Sequence, residues 1–96
     1  MLFQVEMRVR VPAHLDRAAF EQLRESEKAM AHELQQQGKW RHIWRVVGKY
    51  KNISIFDVAD NEELHTILTS LPLYPYMRVK VMPLCRHPSS IRDDDR

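Results

Sequence analysis

A glutamate lies where a helix of this sequence should be apolar. Glu27 falls inside the series 20-23-27-30-34, which follows the helical period. The other members of that series are apolar: Phe20, Leu23, Met30 and Leu34. A carboxylate facing a core is costly unless it is paired, hydrogen-bonded or lining a cavity, and burial raises its pKa. Glu27 is therefore a candidate proton-transfer residue. A salt bridge to an arginine of the sheet, or a helix rotated to bring Glu27 to water, remains an alternative.

Further polar residues could complete a site around this carboxylate. Tyr50, Asn52 and Ser54 alternate along the sequence, so they should share one strand face and could line a polar pocket wall. The alternative is a strand whose first half is merely solvated. Lys28 lies at the edge of the apolar stripe, where a solvated surface lysine is the alternative. Arg45 offers a guanidinium group suited to a substrate carboxylate.

Several other chemistries find little support. The five histidines are scattered without metal-ligand spacing, and Cys85 is the single cysteine, so we expect no metal. Two glycines cannot build a phosphate-binding loop. Arginines interleave with Trp40 and Trp44, as in single-strand nucleic-acid platforms, but a net charge of +2 is too balanced for such a binder. Cys85 beside Arg86 and His87 could be an activated thiol or simply anchor the end of the chain.

Targeting signals are also missing from the sequence. No apolar run approaches the roughly 20 residues of a membrane-spanning helix. The first residues alternate with charges and lack the continuous apolar region of a signal peptide. We therefore expect a cytoplasmic protein with no membrane partner and no nucleic-acid partner.

The elements that must position these residues follow from periodicity. Ninety-six residues suit a single domain, 1–96. Alternation predicts strands over 2–11 and 76–82. Aromatic and β-branched residues predict a strand over 40–47, and the tight turn at Gly48-Lys49 predicts that 50–58 returns as the second arm of a hairpin. Helical spacing predicts one helix from Asp16 to Gln37, stopped by Gly38, and a second opened by Asp60 and Glu63 as a capping box. The order β-α-β-β-α-β predicts an α+β, ferredoxin-like fold: a four-stranded antiparallel sheet with two helices on one face.

Apolar residues should occur on both faces of that sheet. The adjacent pairs Ile43/Trp44 and Ile55/Phe56 place bulk on opposite faces of their strands. A two-layer protomer would leave one of these faces in water, so we expect a partner subunit to cover it. The aperiodic C-terminal tail, about 85–96, is long for a loose end and is expected to pack on a neighbouring subunit.

Several motifs across the whole chain resemble those of the muconolactone isomerase family. They are EK at 27–28, G-x-WRHIWR at 38–45, GxYxNxSxFDV at 48–58, LPLYPYM at 71–77 and LCRHPSSI at 84–91. The resemblance implies a ferredoxin-like protomer of the dimeric α+β barrel type in a ring-like homo-oligomer, a decamer, without cofactor or metal. It implies an isomerase that transposes a C=C bond, converting muconolactone to 3-oxoadipate enol-lactone in the catechol branch of the β-ketoadipate pathway.

That reaction assigns roles to the candidate residues. Glu27 would act as base and then as acid. The developing oxyanion would accept a hydrogen bond from one of four candidates: Lys28, Tyr50, Asn52 or Ser54. Arg45 or Arg86 would hold the substrate carboxylate, and His87 would enter from a neighbour's tail.

Three other functions stay open. Chloromuconolactone dehalogenases are closely similar in sequence. A ligand-binding or structural ferredoxin-like module shares the fold without needing a poised carboxylate. Cofactor-free monooxygenases of the dimeric α+β barrel group share the topology but not the motifs quoted above.

Overall fold

The structure, a computed structural model, describes residues 1–95 and confirms the expected order of elements. In chain order these are β1 (Leu2–Val9), α1 (Arg17–Gln36), β2 (Trp40–Arg45), β3 (Lys51–Asp57), α2 (Asn61–Ser70), a short 3₁₀ helix (Tyr74–Tyr76) and β4 (Met77–Leu84). The strands form one antiparallel sheet in the order β2-β3-β1-β4. This is the ferredoxin-like α+β fold that the sequence predicts.

Both helices pack on one face of the sheet, against a set of buried strand side chains that point that way. Phe3, Val5 and Met7 alternate along β1, and Phe56 lies opposite Phe3 on β3. These side chains form one core with residues from the helices and the segment that follows α2: Ala31, Leu34, Leu64, Ile67, Leu68 and Leu71. This single core holds both helices against the sheet.

The helix ends match the sequence signals. The Asp16 carboxylate accepts a hydrogen bond from the Ala19 N–H at 3.2 Å, which caps the start of α1. Gly38 has φ +79°, and the N–H of Lys39 bonds the Leu34 carbonyl at 3.0 Å, so a Schellman motif ends that helix. Asp60 caps α2 by accepting from the Glu63 N–H at 2.8 Å.

Six of the eight predicted strand bounds were wrong by one or two residues; β2, for example, ends at Arg45 rather than at residue 47. β1 ends at Val9, although alternation continues to residue 11. β3 begins at Lys51, so Tyr50 lies in the preceding turn and is 84% exposed. β4 runs on to Leu84 through Pro83, which an edge strand tolerates because it need not donate on its free side.

A β-bulge in β2 was not predicted. Trp40 lies opposite Phe56 and His42 opposite the adjacent Ile55, so Arg41 is an extra residue on its strand. A bulge shifts the alternation by one, which turns every later side chain to the other face. As a result Arg45 shares the helix-side face with its partner Asn52.

The sheet face away from the helices, here called the outer face, carries apolar side chains as expected. Trp44 is 55% and Met82 56% exposed there. The imidazole of His42 stacks on the Trp44 ring at 5.0 Å. Residues 1–95 leave these side chains exposed, and the predicted partner subunit stays a prediction.

The C-terminal tail returns toward its own sheet. Arg41 binds the carboxylates of Asp94 and Asp95 at 3.2 and 2.9 Å. Arg86 donates to the carbonyls of Ser90 and Arg92 at 3.1 Å, which folds the tail on itself. The expected packing on a neighbouring subunit is not tested by these contacts.

Candidate functional site

A cleft of about 520 Å³ lies between the first half of α1, the C-terminal end of β1 and the β2–β3 hairpin. Its size is that of an ordinary small-molecule site. The lining residues are Met7, Val9, Val11, Phe20, Arg24, Arg45, Tyr50, Lys51, Asn52 and Leu73. The walls are therefore largely apolar, with cations and one amide projecting from them.

Glu27 borders this cleft through one of its lining residues. Its Oε1 accepts a hydrogen bond from the backbone N–H of Leu73 at 2.9 Å. On α1 it follows Phe20 and Arg24 at helical spacing, so these three side chains lie on one face. Among residues 1–95, no ion pair to Glu27 is formed. The Glu27 carboxylate therefore does not form the salt bridge considered as an alternative. It is also not fully solvated, because the residue is half-buried.

Burial raises the pKa of Glu27 above its ordinary value of 4.5, and the Leu73 hydrogen bond offsets part of that effect. Desolvation disfavours the charged form, whereas an N–H donor stabilises it. A carboxyl group with this balance both accepts and returns a proton more readily at neutral pH than an exposed one.

The cationic side of the cleft is formed by two arginines. Arg45 reaches the cleft because the bulge at Arg41 turns it to the helix side. Its guanidinium carbon lies 5.9 Å from the centre of the Tyr50 ring, within cation–π range. Arg24 approaches from α1 and donates to Glu21 Oε1 at 3.1 Å. Two guanidinium groups at the cleft favour an anionic ligand.

The hairpin brings Asn52 and Ser54 to the same side of β3. Asn52 is half-buried and lines the cleft, whereas Ser54 is completely buried. The Ser54 hydroxyl donates to Asn52 Oδ1 at 2.8 Å. The amide is therefore the group that faces a ligand directly, with the hydroxyl behind it.

The other predicted site residues lie elsewhere in the chain. Lys28 is exposed on α1 beside Glu27. Arg86 lines a second cavity of about 680 Å³, together with Met1, Leu2, Leu84, Cys85 and Asp93. His87 accepts from the Ser89 N–H at 3.0 Å within the tail. Arg86 and His87 do not line the cleft beside Glu27 within one chain, so their predicted roles would need the tail of a neighbour.

Sequence reasoning missed Arg24 and Leu73. Arg24 precedes Glu27 by three residues, so helical spacing was a usable signal for it. Leu73 acts through its backbone N–H, 46 residues from Glu27, and no side-chain pattern reports such a contact.

The described residues show neither a metal-binding cluster nor a membrane-spanning helix. In residues 1–95, no cluster of three or more His, Cys, Asp or Glu side chains is placed to hold a metal ion. None of the helices in that range is long and apolar enough to cross a membrane.

Fold and site together describe a class of protein: a small ferredoxin-like protein in which a half-buried carboxylate lies beside a largely apolar cleft with two arginines at its wall. Comparisons with known proteins narrow this class. A sequence model of the family "Muconolactone delta-isomerase" matches residues 1–90. The chain belongs to the muconolactone delta-isomerase family, and it is an isomerase.

Individual relatives match along the whole chain. A Muconolactone Delta-isomerase of Acinetobacter baylyi is 63% identical over 95 residues, which are 99% of each chain. Its counterpart in Pseudomonas aeruginosa is 52% identical over 96 residues, with 100% of each chain covered. The crystal structure of a muconolactone isomerase matches with a TM-score of 0.94 and 53% identity, again over 100% of both chains.

Proposed function

We propose that this chain converts muconolactone to 3-oxoadipate enol-lactone, with Glu27 as its acid–base residue. The observation that carries the proposal is the half-buried Glu27 carboxylate, which the Leu73 N–H holds beside an apolar cleft of substrate size. Family membership supplies the substrate, because the relatives described above carry that activity in their names. The reaction belongs to the catechol branch of the β-ketoadipate pathway.

The reaction is a proton transfer at each of two ring carbons. Glu27 removes the proton from ring C4, which is acidified by conjugation through the C=C bond to the lactone carbonyl. The C–H electrons form a new C=C bond, the original C=C shifts, and negative charge collects on the carbonyl oxygen as a dienolate. Glu27 then returns a proton to C2, and the electrons flow back to restore the carbonyl. Protons balance, and one carboxylate on one ring face suffices.

The dienolate oxygen needs a hydrogen-bond donor placed in advance. Asn52 is best situated for this, since it lines the cleft and has an amide N–H₂. Tyr50 also lines the cleft, and Lys28 lies beside the base on α1. Arg45 would hold the carboxymethyl group of the substrate by a bidentate contact.

The proposed function includes assembly of the chain into a homo-oligomer. The exposed Trp44 and Met82 of the outer face support a homo-oligomer in which a second copy covers them. Arg86 and His87 would then reach a neighbour's cleft from the tail, in a decamer of the kind the resemblance implies. A cytoplasmic location is part of the proposal, supported by a single cysteine, which suits a reducing compartment.

The test is a proton NMR time course with (+)-muconolactone in D₂O. Appearance of the enol-lactone would support the proposal, and deuterium at C2 would report exchange of the base with solvent before it returns the proton. A parallel reaction with 5-chloromuconolactone separates the dehalogenase alternative. Chloride release without turnover of muconolactone would overturn the isomerase assignment, and inactivity on both lactones would favour a binding module.

A further inference from the structure

Ser54 is an exception to an otherwise apolar core. It is the one polar residue among the buried side chains of residues 1–95, and it is 0% exposed. It lies on the interior strand β3, opposite Val5 of β1 and Ile43 of β2. A buried hydroxyl without a hydrogen-bond partner destabilises the fold. Hydrophobic burial therefore does not account for a serine at this position.

Within the described range the Ser54 hydroxyl has one side-chain partner, and that partner lines the cleft. Ser54 Oγ donates to Asn52 Oδ1 at 2.8 Å. An amide has one acceptor atom and one N–H₂ group, so a hydrogen bond to its oxygen fixes which end faces the other way. If the amide were flipped, the Ser54 hydroxyl proton would lose this acceptor inside the core, which buried polar groups avoid. The Asn52 N–H₂ is thereby left for the cleft.

We infer that Ser54 is a positioning residue, which holds the Asn52 amide with its N–H₂ group toward the lactone carbonyl oxygen. This inference rests on the function proposed above. Asn52 is the group that touches the substrate, and Ser54 acts through it. Donors fixed before the reaction are effective because they need no reorganisation as charge develops on the oxygen. The hydrogen bond from Ser54 restricts the amide to one orientation within β3.

The role predicts a specific pattern of kinetic effects. Asn52→Ala removes the donor and should lower kcat by about 10²–10³-fold, as loss of an oxyanion donor does. Asn52→Asp keeps an oxygen for Ser54 but has no N–H₂, and should lose as much. Ser54→Ala leaves the amide free to rotate, and should lower kcat about tenfold with little change in KM.

A double-mutant cycle separates positioning from a structural role. In the Asn52→Ala background, Ser54→Ala should cause no further loss of kcat, because the amide it orients is gone. Ser70→Ala is the matched control: its hydroxyl also makes a local bond, to the Ile67 carbonyl at 2.7 Å, but on α2. It should leave kcat unchanged. Thermal unfolding of each variant confirms that the protein assayed is folded.

The possible results distinguish the inference from the proposed function. A kcat loss on Ser54→Ala that vanishes without Asn52 supports the inference. Any one of three results overturns the inference: equal losses of kcat in both backgrounds, an unchanged kcat in Ser54→Ala, or a wild-type kcat in Asn52→Asp. The proposed function still stands in these cases if the wild-type protein turns over muconolactone. A folded wild-type protein that does not turn over muconolactone overturns the proposed function, and this inference with it.

Discussion

Replacing Glu27 by glutamine removes a charge while keeping the shape of the side chain. The amide oxygen of the introduced glutamine can still accept from the Leu73 N–H, which lies 2.9 Å from the carboxylate in the native chain. The contact between α1 and the segment before β4 therefore survives. What is lost is the ability to take a proton from carbon, so the substitution isolates the base.

The expected loss of kcat is about 10²–10⁴-fold, the usual contribution of a general base. At about 1.36 kcal/mol per factor of ten, this raises the barrier by about 2.7–5.4 kcal/mol. Glu27→Ala should lose as much activity, and it also removes the acceptor of the Leu73 N–H. That orphaned donor costs about 1–3 kcal/mol of folding stability. Glu27→Gln should thus lose activity without losing stability, whereas Glu27→Ala should lose both.

Glu27→Gln should also change how the free energy of unfolding depends on pH. The folded-state pKa of Glu27 is raised above 4.5, chiefly by burial, so the folded chain favours the protonated form. Its contribution to the free energy of unfolding is complete below the unfolded value and is lost as pH rises through the folded pKa. Glu27→Gln should therefore become more stable relative to wild type across that window, and remain so at neutral pH.

The assay is the NMR time course with muconolactone, combined with thermal unfolding on either side of the window. Glu25→Gln is the matched control, because it makes the same chemical change at an exposed position of α1. It should keep wild-type kcat. A folded Glu27→Gln protein with near-normal kcat would refute the assignment of the base. A variant equally inactive but grossly destabilised would refute the claim that its packing is preserved.

Four further outcomes are expected. The acid limb of kcat/KM should lie above 4.5, following the raised pKa of Glu27, and a limb at or below that value would contradict the desolvation argument. Arg45→Gln should raise KM about tenfold or more with a smaller effect on kcat, measured by steady-state kinetics; an unchanged KM would remove the arginine from substrate binding. Glu63→Gln should lower thermal stability. The pKa of Glu63 is lowered, first by the Ala59 N–H that it accepts at 3.0 Å, so this stabilisation is present above the unfolded pKa and disappears as pH falls through the folded one. Truncation after Leu84 should lower activity or reduce the assembled mass by light scattering, and an active, fully assembled truncation would exclude a role for the tail.

The fold was predictable because its signals are local. Strict alternation in β1, the Asp16 and Asp60 caps and the stop at Gly38 each depend on a few neighbouring residues. The partial burial of Glu27 was also predictable, since a carboxylate interrupts an apolar helical stripe. The strand ends were less so. β1 stops at Val9 although alternation continues, because the pairing with β4 ends at that residue.

The contacts that set the chemistry of the site were not predictable from such signals. The Leu73 N–H meets Glu27 across 46 residues, and a backbone donor has no sequence signature. The serine at 54 was a candidate donor to the oxyanion from its alternation with Asn52. Only burial and hydrogen-bond direction distinguish the group that lines the cleft from the group that orients it.

The bulge at Arg41 connects the fold to the site most directly. Unbroken alternation from the buried Trp40 would place Trp44 on the helix side and Arg45 on the outer face. One extra residue reverses this, so the cation enters the cleft opposite Asn52 and the indole is left on the outer face. Arg41 itself is held by the acidic tail. The irregularity that gives the cleft its arginine therefore also exposes the aromatic surface on which a second subunit could pack.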